Sequence, residues 1–109
     1  MPYDEELAAR IRLAFARKRN VAEKKMFGGV GWLLNGNMCV GIWKQWLIAR
    51  LGDAYVHALR EPHVREFDIT GKAMSGWVMV GAAGVATDDD LRDWVDRCVA
   101  FVRTLPVKE

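Results

Sequence analysis

Residues 24–51 read KKMFGGVGWLLNGNMCVGIWKQWLIARL, and the fold turns on how their glycines are understood. Gly28, Gly29 and Gly31 crowd into four positions, with Gly36 five residues further on. Gly31 and Gly36 have the separation of a phosphate-binding loop, but Asn37 and Met38 follow where that mechanism needs a lysine for the phosphates and a hydroxyl for magnesium. Gly28-Gly29-Val30-Gly31 leads into an apolar run instead of a helix start, so no helix dipole would face a phosphate. Glycines in such runs mark bulges, sharp bends and close backbone approach. Asn35-Gly36 between apolar residues is a two-residue hairpin signal. Lys44-Gln45, between MCVGIW and WLIARL, reads as a second reversal. From Glu23 to Leu51 the chain is therefore an antiparallel meander, with strands at 38–43 and 46–51.

Helices flank the meander. Asp4 caps a first helix whose stripe Leu7, Ala8, Ile11, Ala14 and Phe15 has helical spacing and which should stop near Asn20. Asp53 is placed to cap a short helix through Tyr55, Val56 and Leu59, ended before Pro62. Strands are expected at 65–69 and 77–80, joined by TGKAMSG. Thr87, with Asp90 three residues on, resembles a capping box. It opens a last helix with the core face Leu91, Trp94, Val95, Cys98, Val99 and Val102, and outer pairs Asp88–Arg92 and Asp93–Arg97 at four-residue spacing. The reading is a single domain, 1–109, of α+β class: an antiparallel meander of five to six strands with the N-terminal and C-terminal helices packed on one face.

With 109 residues, 51% hydrophobic and 28% charged, the chain is long enough for one core and has the composition of a folded protein. No apolar run reaches the roughly 20 residues of a membrane span. The acidic, amphipathic start PYDEELAARI is unlike a signal peptide, so the expected location is the cytoplasm. Cys39 and Cys98 lie in different elements and read as buried thiols. Ser75 is the only serine and lacks a nucleophile-elbow context. His57 and His63 lack the spacing of metal ligands, and Asp88, Asp89 and Asp90 read as helix-start chemistry. No catalytic residue, metal site or cofactor is expected.

A net charge of +2 is small, but it is unevenly spread. Arg10, Arg17, Lys18, Arg19, Lys24 and Lys25 crowd the first quarter, either as a solvated helix face whose last turn complements the dipole or as a patch contacting phosphates. The sheet strands are apolar on both sides: Met38, Val40 and Ile42 on one, Cys39 and Trp43 on the other. One layer of helices covers one face, leaving a patch among Trp32, Trp43 and Trp46 that predicts a homodimer.

KKMFGGVGWLLNGNM, then EPHVREFDITGKAMSGWVMV and a last amphipathic helix, resemble the N-terminal domain of the TfoX family, also called Sxy, whose founding members regulate natural competence in bacteria. The most specific matches are MFGG at 26–29 and TG-basic-x-M-x-GW at 70–77. The resemblance implies an α+β fold and supplies no catalytic residues. The founding regulators carry a second, C-terminal helical domain, whereas this chain stops soon after its last helix, so a stand-alone domain is implied. The leading expectation is a non-enzymatic protein-binding or regulatory module, acting on transcription through a partner. Its candidate contact residues are Met26, Phe27, Gly28, Gly29, Lys72, Met74 and Trp77, with Lys72 supplying charge and the others backbone shape or an adaptable apolar surface. The alternatives are a nucleic-acid-binding domain using the basic first quarter, and a small-molecule binder or enzyme with a pocket under the MFGG bend.

Overall fold

The two turns expected inside the meander exist, and both use left-handed backbone. Asn35 (φ 53°) and Gly36 (φ 81°) reverse the chain between β2 (Gly29–Leu34) and β3 (Asn37–Trp43). Two positive φ values in a two-residue loop match the right-handed twist of the paired strands. Lys44 (φ 57°) begins the reversal into β4 (Trp46–Arg50), and Trp43 pairs directly with Trp46. The computed structural model describes residues 3–26, 28–69 and 71–108.

β1 (Val21–Met26) precedes β2, and β5 (Val64–Glu66) and β6 (Trp77–Val80) complete a six-stranded sheet in the order β1-β2-β3-β4-β6-β5, with every pairing antiparallel. α1 (Glu5–Phe15), α2 (Tyr55–Ala58) and α3 (Asp88–Val102) complete the chain, making the fold α+β. The Asp4 carboxylate accepts from the backbone N–H groups of Glu6 (3.0 Å) and Leu7 (3.1 Å), and the Thr87 hydroxyl accepts from that of Asp90 (3.1 Å). Each cap satisfies donors that the first helical turn leaves orphaned.

α3 lies across β3 and β4, and α1 packs against α3. The expected core face of α3, Leu91 through Val102, is buried at every position, as are Leu7, Ala8, Ile11 and Phe15 of α1. They meet Val30, Trp32, Leu34, Val40, Ile42, Leu47, Ala49, Val78 and Val80 in one core. Alternation sends their strand neighbours to the opposite, helix-free face.

Several local expectations change. α1 ends at Phe15, short of Asn20. Asn20 has φ 63° and its carbonyl accepts from the Asn35 N–H (3.0 Å), so a tie to the hairpin draws the chain off the helix and β1 starts at Val21. Asp53 does not cap the short helix; the N–H groups of Leu51 (2.8 Å) and Gly52 (3.1 Å) both reach the Gly76 carbonyl instead. β5 stops at Glu66 because Phe67 and Asp68 turn their carbonyls to the N–H groups of Met74 (3.0 Å) and Gly71 (2.8 Å). Asp93 pairs with Arg97 (2.9 Å), but Asp88 pairs with Arg10 of α1 (3.2 Å), not with Arg92.

The largest correction is a bulge. Trp32 pairs with Val40 and Leu33 with Met38, leaving Cys39 as an extra residue on β3. An unpaired residue breaks strict alternation. Cys39 therefore joins Val40 and Ile42 in the core, fully buried, and Met38 moves to the helix-free face. Trp32, expected in the open patch, is 2% exposed beneath the helices.

Candidate functional site

The glycines of the opening stretch act through geometry. Gly28 (φ 77°) turns the chain between β1 and β2. Gly29 lies so close to the Ile42 carbonyl that any side chain would collide with backbone, which holds β2 and β3 together at that end. Gly31 faces Gly41 across the two strands, and the Met38 thioether lies over both, 2.7 Å from where either Cβ would be. The Met26 methyl closes in from β1.

This methionine-over-glycine arrangement belongs to the helix-free face, whose other large side chains are Leu33, Trp43, Trp46, Ile48, Trp77 and Met79. Among the described residues no helix covers it, yet Ile48 and Met79 are buried and the remaining large apolar groups are half-buried. They cover one another, and cations lie on three of the rings: Lys44 over Trp43 (4.5 Å), Arg65 over Trp46 (5.7 Å) and Arg50 over Trp77 (5.2 Å). Each cation meets the negative face of an indole, an arrangement worth about 0.5–1 kcal/mol where exposed. Phe67 adds its ring to Trp77 at 5.8 Å.

The candidate contact residues fall into two groups. Met26, Gly28 and Gly29 sit at one end of the edge strand β1 and its turn; Phe27 lies outside the described residues. Trp77 opens β6, four strand steps away, roughly 19 Å at the usual ~4.8 Å spacing. Lys72 and Met74 are exposed on the loop before it, and Thr70 lies outside the described residues. These groups are joined only through the face between them, which runs from Met26 across Met38 to Trp46 and Trp77. Sequence reasoning did not include Met38, Leu33 or Arg65 in this surface; the bulge hides Met38 from a strict two-residue period.

The basic residues also separate. Arg10 is held by Asp88 and by the Val85 carbonyl (2.7 Å). Lys24 and Lys25 are exposed on the β1 edge, opposite Gly31 and Val30. Arg17, Lys18 and Arg19 come together with Arg103, Asn20 and Asn35 around a cup of about 420 Å³. Arg103 stands just past α3, at the far end of the chain from Arg17 and Arg19, and no local pattern could have placed it beside them.

A second groove, about 600 Å³, runs between α2 and α3 past Leu51, His57, Glu61, Arg97 and Phe101. Arg97 spans it with a two-pronged bond to Glu61 (2.6 and 3.0 Å) while lying over Trp94 at 4.3 Å. Hydrogen bonding to Glu61, helped by the Asp93 charge, raises the Arg97 pKa against the effect of burial. Within the groove Arg97 and Glu61 satisfy one another, a structural role. Burial pushes the Cys39 thiol up to about 12, against the opposing pull of Arg50, Lys18 and Arg103, and raises Cys98 as well. Both are protonated core thiols, unlike activated nucleophiles. Among the described residues no group of three or more His, Cys, Asp or Glu could hold a metal ion, and no helix is long and apolar enough to cross a membrane.

Comparison with curated proteins and with solved structures returned no match. The family model of the TfoX N-terminal domain matches residues 14–102, a span that contains all six strands and α3. The chain therefore belongs to the TfoX N-terminal domain family.

Proposed function

We propose that this protein is a non-enzymatic, cytoplasmic regulatory module that works by binding protein, and that the helix-free face of its sheet is the binding surface, occupied first by a second copy of the chain. The observation that carries this reading is the unroofed centre of that face, where Leu33, Met38, Trp43, Trp46 and Trp77 remain half-buried without a third layer. Methionine and tryptophan on a rigid sheet suit a contact surface: one adapts its shape, and the other supplies large area at small entropic cost.

The size of the face supports a second copy. Six strands at about 4.8 Å and a mean length near five residues give roughly 500 Å² in projection, to which side-chain relief adds; a stable interface uses about 800 Å² per partner. The face carries no carboxylate on its central strands, and its exposed cations stand at its margins, Lys24 and Arg65 on the edge strands β1 and β5 and Lys44 in the β3–β4 turn, so two copies can meet through apolar groups with these charged heads left in water. Membership of the TfoX N-terminal domain family supports the regulatory part of the reading. A link to transcription, exercised through a protein partner, is its finer form.

Light scattering at tens of micromolar tests the proposal. The expected mass is twice the 12.3 kDa of one chain, falling to the monomer in Trp43→Glu. A wild-type chain that stays at 12.3 kDa at these concentrations overturns the dimer.

A further inference from the structure

The cup at the other end of the molecule has a charge that its own structure does not use. Its rim comes from three places: Arg17, Lys18 and Arg19 after α1, Asn35 in the β2–β3 turn, and Arg103 after α3. Lys18 meets Asp96 at 3.5 Å; among the described residues, Arg17, Arg19 and Arg103 form no ion pair. Cations after a helix are often no more than partners for its negative end. Here the charge exceeds that role. Two helix ends count for about half a negative charge each. With Asp96 they offset about two of the four positive charges, leaving about two.

The rim is also held in place. Asn20 and Asn35 both adopt left-handed backbone and are joined by the 3.0 Å bond from the Asn35 N–H to the Asn20 carbonyl. The Lys108 N–H donates to the Asn35 carbonyl (2.8 Å), and the Asn37 amide donates to the Pro106 carbonyl (2.9 Å), so the C-terminal segment straps the hairpin. Buried Leu34 lies at the base of the cup, and among the described residues no carboxylate lines it.

We infer that this cup binds the terminal phosphate of a small phosphate ester or polyphosphate. The excess of about two positive charges matches a terminal phosphate, close to −2 at neutral pH, better than a backbone diester at −1. Three guanidinium groups supply the planar forks that pair with phosphate oxygens, and a concave site of about 420 Å³ suits a compact group more than a duplex. This site lies apart from the proposed protein-binding face and does not depend on it.

Calorimetric titration of the full chain tests the inference, using pyrophosphate, a nucleoside triphosphate, the corresponding nucleoside, and a single-stranded oligonucleotide without terminal phosphates. Pyrophosphate and the triphosphate should each bind at one site per chain, and the nucleoside should not bind. Arg17→Gln and Arg103→Gln, each losing a charge-assisted contact, should weaken binding at least about tenfold. The double variant Lys24→Gln/Lys25→Gln removes two charges away from the cup and should leave affinity within about twofold. Unchanged circular dichroism and thermal midpoints establish that each variant is folded, and either arginine variant alone suffices. Absence of phosphate binding at millimolar concentration, equal loss in the Lys24/Lys25 variant, or tighter binding of the oligonucleotide than of pyrophosphate overturns the inference.

Discussion

The two faces of this sheet are built from different kinds of residue. Under α1 and α3 lie valine, isoleucine, leucine and Trp32, stiff or large side chains filling one core at 0–4% exposure. On the other face lie methionines, glycines and indoles with cations above them, shielded by one another, with Met79 buried and Met38 and the indoles half-buried. Both faces are apolar, so composition does not distinguish them. What differs is whether side chains are held by a packed second layer or only by their neighbours. The first arrangement penalises every change of volume; the second leaves room to adapt.

Substitution of one tryptophan on each face tests this contrast most directly. Trp32→Ala should cost about 3–5 kcal/mol in urea unfolding, whereas Trp43→Ala should cost about 1 kcal/mol or less in the monomer and abolish self-association. Equal losses would show that the open face is packed like the core. Next in size is a pair of glycines two residues apart. Gly29→Ala drives a methyl into the Ile42 carbonyl and should cost about 2–3 kcal/mol; Gly31→Ala meets only the flexible ends of Met38 and Met26 and should cost about 1 kcal/mol. If the order were reversed, Met38 would be a fixed part of the sheet and not an adaptable cover.

Cys39, the residue the bulge turns inward, extends the contrast to pH. Its folded pKa is raised to about 12 by burial, so its contribution is complete below the unfolded thiol value near 9 and is lost as pH rises from there toward 12. Over that window the unfolded chain releases a proton that the folded chain keeps, a slope of about −1.4 kcal/mol per pH unit. The stability advantage of wild type over Cys39→Ala should therefore shrink between about pH 8.5 and 10.5 in parallel denaturation curves, by no more than about 1.4 kcal/mol per unit. A gap independent of pH would mean that the thiol is not held in the dry face. The smallest effect is expected in the groove between α2 and α3. Arg97→Met, which keeps the stem over Trp94 and removes the fork to Glu61, should cost about 1 kcal/mol because the pair is more than a third exposed, and should leave self-association intact. Loss of dimer mass in this variant would move the interface to the helical side.

Local chemistry was legible in advance. The stripes of α1 and α3, the caps Asp4 and Thr87, and the turns at Asn35-Gly36 and Lys44-Gln45 depend on residues a few positions apart, where spacing and backbone preference suffice. So did the nature of the glycines, because a phosphate loop needs a lysine and hydroxyl that are missing. The candidate site was legible in parts: Met26 and Trp77 do border the open face, but Met38 and Arg65 were not seen, nor was Arg103 beside Arg17 and Arg19.

The kinds of element, their order and the α+β class follow from the amino-acid sequence alone, since short-range periodicity sets each of them. Tertiary pairing was needed to settle which face each tryptophan occupies, where α1 gives way to β1, which carboxylate Arg10 meets and which cations share the cup. Those outcomes depend on contacts across many residues. One unpaired residue at Cys39 exchanges the faces of Met38 and its neighbours, and two backbone bonds to Asn35 draw distant segments together, with no trace in the local pattern.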